Sequence, residues 1–187
     1  MALYSGKGDG GTTKLFDCPP GVRVSKSSPI FEALGILDEL NSTVGWCKAE
    51  ARSQNVALGK KHISDMLHDV QDNLFSAQAE LAGAPKKILP KEVKRVEKII
   101  AAVEAVIPPI TSFIVPGGNE LSARLDIART VARRCERRVV TVAEAGERKV
   151  SKGTLTYLNR LSSLLYALAR FANHAGGVAE TKPQYRS

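Results

Sequence analysis

Apolar side chains recur along most of this chain at three- and four-residue steps, the period that gathers them on one face of an α-helix. The first run is Ile30, Leu34, Leu37 and Val44, with Asn41 as its polar member, and it fades near Arg52. Ser28 offers a cap, Pro29 suits the first helical position and Glu32 falls in the first turn, so a helix is predicted to start there. A second run, Ile63, Leu67, Val70, Leu74, Gln78 and Leu81, stops at Gly83-Ala84-Pro85. A third starts at Pro90, carries Val93, Val96, Ile100, Val103 and Ile107, and meets Pro108-Pro109, which cannot continue a helix. The apolar connector Thr111–Gly118 (TSFIVPGG) follows. Asn119 can cap a fourth helix reaching about Ala145. Thr154 can cap a fifth, with Leu155, Leu158, Leu161, Leu165 and Leu168, closed by Gly176-Gly177.

The sum is five amphipathic helices of roughly 18–28 residues and no convincing strand. Long helices joined by short connectors predict an all-α fold, a single five-helix antiparallel bundle in a ferritin-like up-down arrangement. The 187 residues suit one domain. Residues 1–28, rich in Gly, Ser, Thr and Lys, form an N-terminal loop, 29–175 the bundle, and 176–187 a polar tail expected to be loose. Aromatic residues make up only 5%, so the core is expected to be Leu, Ile, Val and Ala.

The net charge of +8 directs attention to anionic partners: nucleic acid, a phosphorylated small molecule or an anionic surface. Cys18, Cys47 and Cys135 are far apart and odd in number, which argues against a disulfide scaffold or a zinc site of usual spacing. His62 and His68 lie six apart, on different faces of a helix, and with His174 form no metal pattern. No metal site is expected from these residues. No window approaches the 18 or so apolar residues of a membrane span. Met1–Gly11 lacks the apolar run of a secretory leader, so the expected compartment is the cytoplasm. The sequon Asn41-Ser42-Thr43 falls inside a helical pattern and reads as chance.

Charge matters most where it clusters. Arg129, Arg133 and Arg137 recur every four residues on the fourth helix, and Arg134 and Arg138 form an adjacent stripe. Four arginines occupy the six positions 133–138, with Glu136 their one local counter-charge. They repel one another and cost helix stability unless anions answer them. Guanidinium forks match phosphate oxygens in bidentate geometry. Polyphosphate binding, nucleic-acid binding and structural or intersubunit ion pairs all remain open on this pattern.

Three other places could carry chemistry. The segment Tyr4–Lys14 contains Gly6, Gly8 and Gly11 in GxGxxG spacing, but too little chain precedes it to supply the strand of a dinucleotide fingerprint. A P-loop fails as well, since Thr12 stands where the lysine is needed. Its glycines, with Ser5, Lys7, Thr13 and Lys14, could still wrap phosphates. Lys26 lies just before the first helix. On that helix Asp38-Glu39 have apolar neighbours, so a carboxylate at the buried edge needs a partner, an arginine being the obvious one. Asn159 and Arg160 interrupt the leucine stripe of the fifth helix and could read a base edge or a phosphate.

Taken together, these segments resemble the corrinoid adenosyltransferases of the propanediol-utilisation (PduO) type. The resemblance rests on YSGKGDGGTT near the start, RVSK before the first helix, FEALGILDELNS in it, FIVPGG before the fourth helix, ARTVARRCERRVV in that helix and YLNRLSSLLYALARFAN in the fifth. It implies a homotrimer with active sites between subunits. The reaction implied is transfer of the 5′-deoxyadenosyl group of ATP to the cobalt of cob(I)alamin, giving adenosylcobalamin and triphosphate. Ser5, Gly6, Lys7, Gly8, Thr13, Lys14 and Lys26 would then wrap the phosphates. Arg133, Arg134, Glu136, Arg137 and Asn159 would complete the ATP site from a neighbouring subunit. Asp38 would pair with Arg129 across the interface, and Phe113 would face the lower side of the corrin ring. One departure stands out: the family usually has a threonine where this chain has Lys7, which would supply charge instead of a hydroxyl.

Cob(I)alamin is itself a strong nucleophile, which fits a chain without paired carboxylates or a nucleophile–base set. The protein would align C5′ with cobalt, neutralise the departing triphosphate with arginines, lysines and Mg²⁺, and strip the lower axial ligand with Phe113. A flavin reductase and an adenosylcobalamin-dependent enzyme are the implied partners, with no nucleic acid and no membrane. The rivals are a helical nucleic-acid binder, which has no use for the N-terminal loop, and a silent cobalamin carrier.

Overall fold

A computed structural model describes residues 4–185; Met1–Leu3 of the leader reading and the last two residues of the tail lie outside them. Five helices dominate: α1 Pro29–Ser53, α2 Ile63–Leu81, α3 Pro90–Glu104, α4 Glu120–Glu144 and α5 Lys152–Ala175. The up-down order follows from the pairs that cross between helices. As residue numbers rise on α4 from Arg124 to Arg134 to Arg138, their partners on α1 fall from Glu50 to Glu39 to Glu32, so the two run antiparallel. Glu136 and Asn119 on the α4 side meet Asn159 and Ala172 on α5, again antiparallel. α3 lies alongside α5, and α2 against α1.

The periodic residues point where the pattern said. Leu37, Leu40, Val44, Leu67, Leu74, Leu125, Val139, Leu161 and Leu165 are fully buried, and Tyr157 is the largest buried side chain. Each such leucine, moved out of water, contributes about 1.5–3 kcal/mol. Asn41, the polar member of the first run and the head of the sequon, is buried in α1, where no glycan could reach it.

Several boundaries differ from expectation. Ser28 precedes α1 in extended conformation, but its side chain caps nothing; its hydroxyl reaches Glu147 instead. Ser151, not Thr154, caps α5 by accepting from the Thr154 amide, because the Thr154 hydroxyl is engaged by Glu80 and the Ile88 amide. α3 is 15 residues long, shorter than expected, because the chain leaves the helix before Pro108-Pro109 while Val103 and Ile107 stay buried. Asn119 caps α4 as expected, accepting from the Ser122 amide.

Four two-residue strands were not expected: β1 Thr12–Thr13 pairs with β2 Val24–Ser25, and β3 Ala57–Leu58 with β4 Lys61–His62, both antiparallel. They are too short for an alternating pattern to register. The tail is held as far as Thr181. After Gly177 it folds back, and the Val115 amide donates to the Thr181 carbonyl.

Candidate active site

The N-terminal segment is a hairpin, not a dinucleotide fold: no helix follows its glycines until Pro29. The ladder pairs Thr12 with Ser25 and Thr13 with Val24, and the Lys26 amide donates to the Gly11 carbonyl at 2.9 Å. The Lys26 ammonium reaches the Gly8 carbonyl at 2.9 Å, and a side chain at position 8 would press on it. Arg23 donates to the Lys7 carbonyl and to both oxygens of Thr12. The hairpin therefore brings Lys26 onto the loop that carries Ser5, Gly6, Lys7 and Gly8, and sets Thr13 and Lys14 on its first arm. Arg23 had no role in the sequence reading beyond its place beside Lys26; it stitches the loop shut. Asp17 anchors the arm to Arg148 through two hydrogen bonds of 2.5 and 3.1 Å, and the Arg148 hydrogen bond holds the Asp17 carboxyl below its ordinary value.

On α4 the arginines divide. Arg134 meets Glu39 at 2.6 Å and Arg138 approaches Glu32 at 3.7 Å. Arg129 is held by Asp126 of its own helix at 2.9 Å and lies over the Tyr166 ring. Arg133 and Arg137 form no ion pair among the described residues; Arg137 donates to the Arg133 carbonyl. The carboxylate that finds an arginine within this chain is thus Glu39. Asp38, for which a buried edge was expected, is exposed, because it lies just outside the apolar stripe of Leu37 and Leu40.

The connector before α4 forms one wall of a cleft of about 650 Å³. Ile110, Phe113 and Ile114 line one side; Arg129 and Arg133 from α4, and Ser162 and Tyr166 from α5, line the other. Phe113 is 80% exposed at the mouth of this cleft. Arg133 also borders a second hollow of about 380 Å³ with Glu136, Arg137 and Val140. Asn159 donates to Glu136 at 2.8 Å, so these two residues meet beside it. One cationic row therefore joins an apolar cleft to a polar groove, a shape suited to a ligand with an apolar plane and a polyanionic arm.

Two residues that sequence reasoning passed over hold the connector. Asp126 accepts from the Gly117 amide as well as from Arg129. Asn173 donates to the Gly117 carbonyl and accepts from the Asn119 amide. Gly118 has φ 117° and a Cβ there would fall on Asn173, so the turn into α4 requires glycine. Asp126 is a polar residue beside the buried Leu125 on an apolar face, a signal that was available. Asn173 gave none.

Among the described residues no cluster of three His, Cys, Asp or Glu could hold a metal ion, and no helix is long and apolar enough to cross a membrane.

With this geometry in view, comparison with known proteins places the class. The cobalamin adenosyltransferase family model matches residues 3–172; the chain belongs to that family. It is 42% identical to the corrinoid adenosyltransferase PduO of Citrobacter freundii over 93% of this chain and 50% of that protein, and 40% identical to PduO of Salmonella typhimurium over 99% and 55%. The chain thus spans about half the length of these two relatives. It covers 92% of the corrinoid adenosyltransferase of Bacillus subtilis, at 36% identity over 97% of its own length. Among solved structures, a phenylalanine-to-alanine variant of the PduO-type ATP:corrinoid adenosyltransferase from Lactobacillus reuteri, complexed with cobalamin and ATP, superposes with a TM-score of 0.86 at 28% identity, covering 98% of this chain and all of that one.

Proposed function

We propose that this chain, as a single catalytic domain, transfers the 5′-deoxyadenosyl group of ATP to the cobalt of cob(I)alamin or a related corrinoid. The cobalt lone pair forms the Co–C5′ bond while the C5′–O bond breaks, and that electron pair leaves with triphosphate. The observation that carries this is Arg133: a cation that meets no carboxylate among the described residues, set where the Phe113 cleft meets the Arg137 groove, in a chain matched to the family over residues 3–172.

The residues divide the work. Arg133 and Arg137 take the charge growing on the triphosphate, and forks already in place need no reorganisation as it grows. Arg134, its charge answered by Glu39 at 2.6 Å, completes the site through its remaining N–H donors and not through its field. Glu136 and Asn159 border the groove as a hydrogen-bonded pair that can address the nucleoside. The hairpin of Ser5, Gly6, Lys7, Gly8, Thr13, Lys14 and Lys26 wraps the phosphates from a neighbouring copy in a homotrimer, with α4 of one subunit facing the loop of the next. Asp38, exposed in one chain, pairs with Arg129 across that interface. Phe113 offers an apolar face to the lower side of the corrin, where no ligand atom can coordinate cobalt. Mg²⁺ fits as a companion of ATP, since it binds through phosphates and waters more than through protein cages. The setting is the cytoplasm, with a flavin reductase supplying the reduced corrinoid and an adenosylcobalamin-dependent enzyme receiving the product.

The test is one spectrophotometric assay with reduced cobalamin, Mg²⁺ and ATP. Loss of the cob(I) spectrum with one triphosphate released per adenosylcobalamin is expected. Bound cobalamin without triphosphate release would replace this reading with that of a carrier, and salt-sensitive binding of random DNA without ATP binding would replace it with that of a nucleic-acid binder.

A further inference from the structure

The segment that carries Phe113 is held almost entirely from its two ends. Among the described residues, 109–114 make no backbone–backbone hydrogen bond, and the one side-chain bond inside this stretch is local, from Ser112 to the Phe113 carbonyl. Such a stretch has no stiffness of its own. Where Phe113 sits depends on what fixes Pro108 and Val115.

Both are fixed by the C-terminal tail and by one buried cation. α5 ends at Ala175 with Gly176 as its cap, and the chain reverses through Gly177, with the Val178 amide donating to the Asn173 carbonyl at 2.9 Å. Glu180 thereby returns to Arg170, ten residues earlier, which is only 7% exposed. The pair is a two-pronged fork: Nε to Oε1 at 2.7 Å and Nη2 to Oε2 at 2.8 Å. The same Nη2 donates to the Pro108 carbonyl at 2.9 Å. One residue beyond Glu180, the Thr181 carbonyl accepts from the Val115 amide at 2.8 Å. Arg170 thus clamps the start of the Phe113 segment, and the tail that Arg170 holds clamps its end. A charged fork in a nearly dry site is strong only while complete; losing the carboxylate leaves a buried guanidinium short of partners.

We infer that Arg170 and Glu180 are positioning residues, which act through the C-terminal strap to hold the Phe113 segment at the mouth of the cleft and so set how a corrinoid is received. The role assigned to the cleft rests on the proposed adenosyltransferase activity; the strap itself does not. Neither residue lines the Phe113 cleft, so ATP should bind without them.

The test compares the chain with Glu180→Gln, which keeps one acceptor for Arg170 but removes the charge, and with Arg170→Lys, which cannot keep both prongs and the Pro108 carbonyl. Amide exchange at residues 110–115 of the unliganded protein should speed up about tenfold, the change expected from one lost charge-assisted hydrogen bond, while α4 core amides stay unchanged. The KM for the corrinoid should rise by a similar factor with the KM for ATP within about twofold, and the four-coordinate cob(II) signal of the bound corrinoid should fall. Unchanged exchange at 110–115 overturns the inference. So does faster exchange that leaves corrinoid KM and spectrum as in wild type, and so does an equal loss for both substrates with a lowered melting temperature, which marks a merely structural pair. Wild-type protein that transfers no adenosyl group defeats the activity instead, and the exchange comparison then decides the strap by itself.

Discussion

Arg134 and Arg138 face α1, where Glu39 and Glu32 meet them. Arg133 and Arg137, one position earlier in each turn, border the connector cleft and the groove beside it and meet no carboxylate among the described residues. The rows share one helix and one residue type, so neither propensity nor composition separates them. What differs is the neighbour. A row answered within the fold has spent its charge on holding α1 and α4 together; a row left unanswered keeps its full field for an anion, at the cost of repulsion along the helix. The contrast teaches that a cluster of like charge divides by its neighbours, and the row left unneutralised among the described residues is the one proposed to meet an anion.

The strongest way to break this comparison is to delete one member of the open row. Arg133→Ala is expected to lower turnover by about 10²–10³-fold, the scale of losing one preorganised donor to developing charge, with the melting temperature unchanged. Arg137→Ala follows in the same direction with a smaller loss. Steady-state kinetics beside a thermal melt check both, and wild-type turnover in Arg133→Ala would end the assignment. A middle effect sharpens the contrast from the other side. Glu39→Gln frees Arg134 but removes only a half-exposed pair, so stability should change by about 0.2–1 kcal/mol, read by denaturant titration, and turnover should stay close to wild type. If it fell as far as in Arg133→Ala, the two rows would be one site after all.

The smallest effect concerns the third, buried face of α4. Burial pushes the Cys135 thiol up to about 12, and likewise Cys47 on α1. Both stay neutral in the fold while the unfolded chain ionises near the ordinary value of 9.0. Stability from these thiols is therefore complete below that value and declines as pH rises toward 12. At pH 8 a thiol reagent should titrate Cys18 alone in the folded protein and all three cysteines after denaturation. Rapid native labelling of Cys135 would mean that this face opens.

Much of this fold was legible in the sequence. The five helices followed from apolar spacing, because a helix buries whatever recurs on one face, and that rule needs no partner to be named. The Asn119 cap and the prolines at Pro29 and Pro90 were equally local. The arginine cluster and the N-terminal glycine loop stood out as candidate anion-binding segments from residue type and spacing.

The rest depended on residues far apart in sequence. Asp38 and Glu39 are neighbours in the chain, yet only the rotation of α1 against α4 decides which one meets an arginine. Thr154 looked like a cap and is held by Glu80 instead, across more than seventy residues of chain. The tail looked loose because it is polar, and Glu180 within it is held by Arg170, a buried cation whose partner arrives only after the chain turns back. Local periodicity by itself determined the elements and the kind of chemistry available. Which charges meet a partner within the fold was decided by packing, because an ion pair forms only where two helices bring opposite charges within reach.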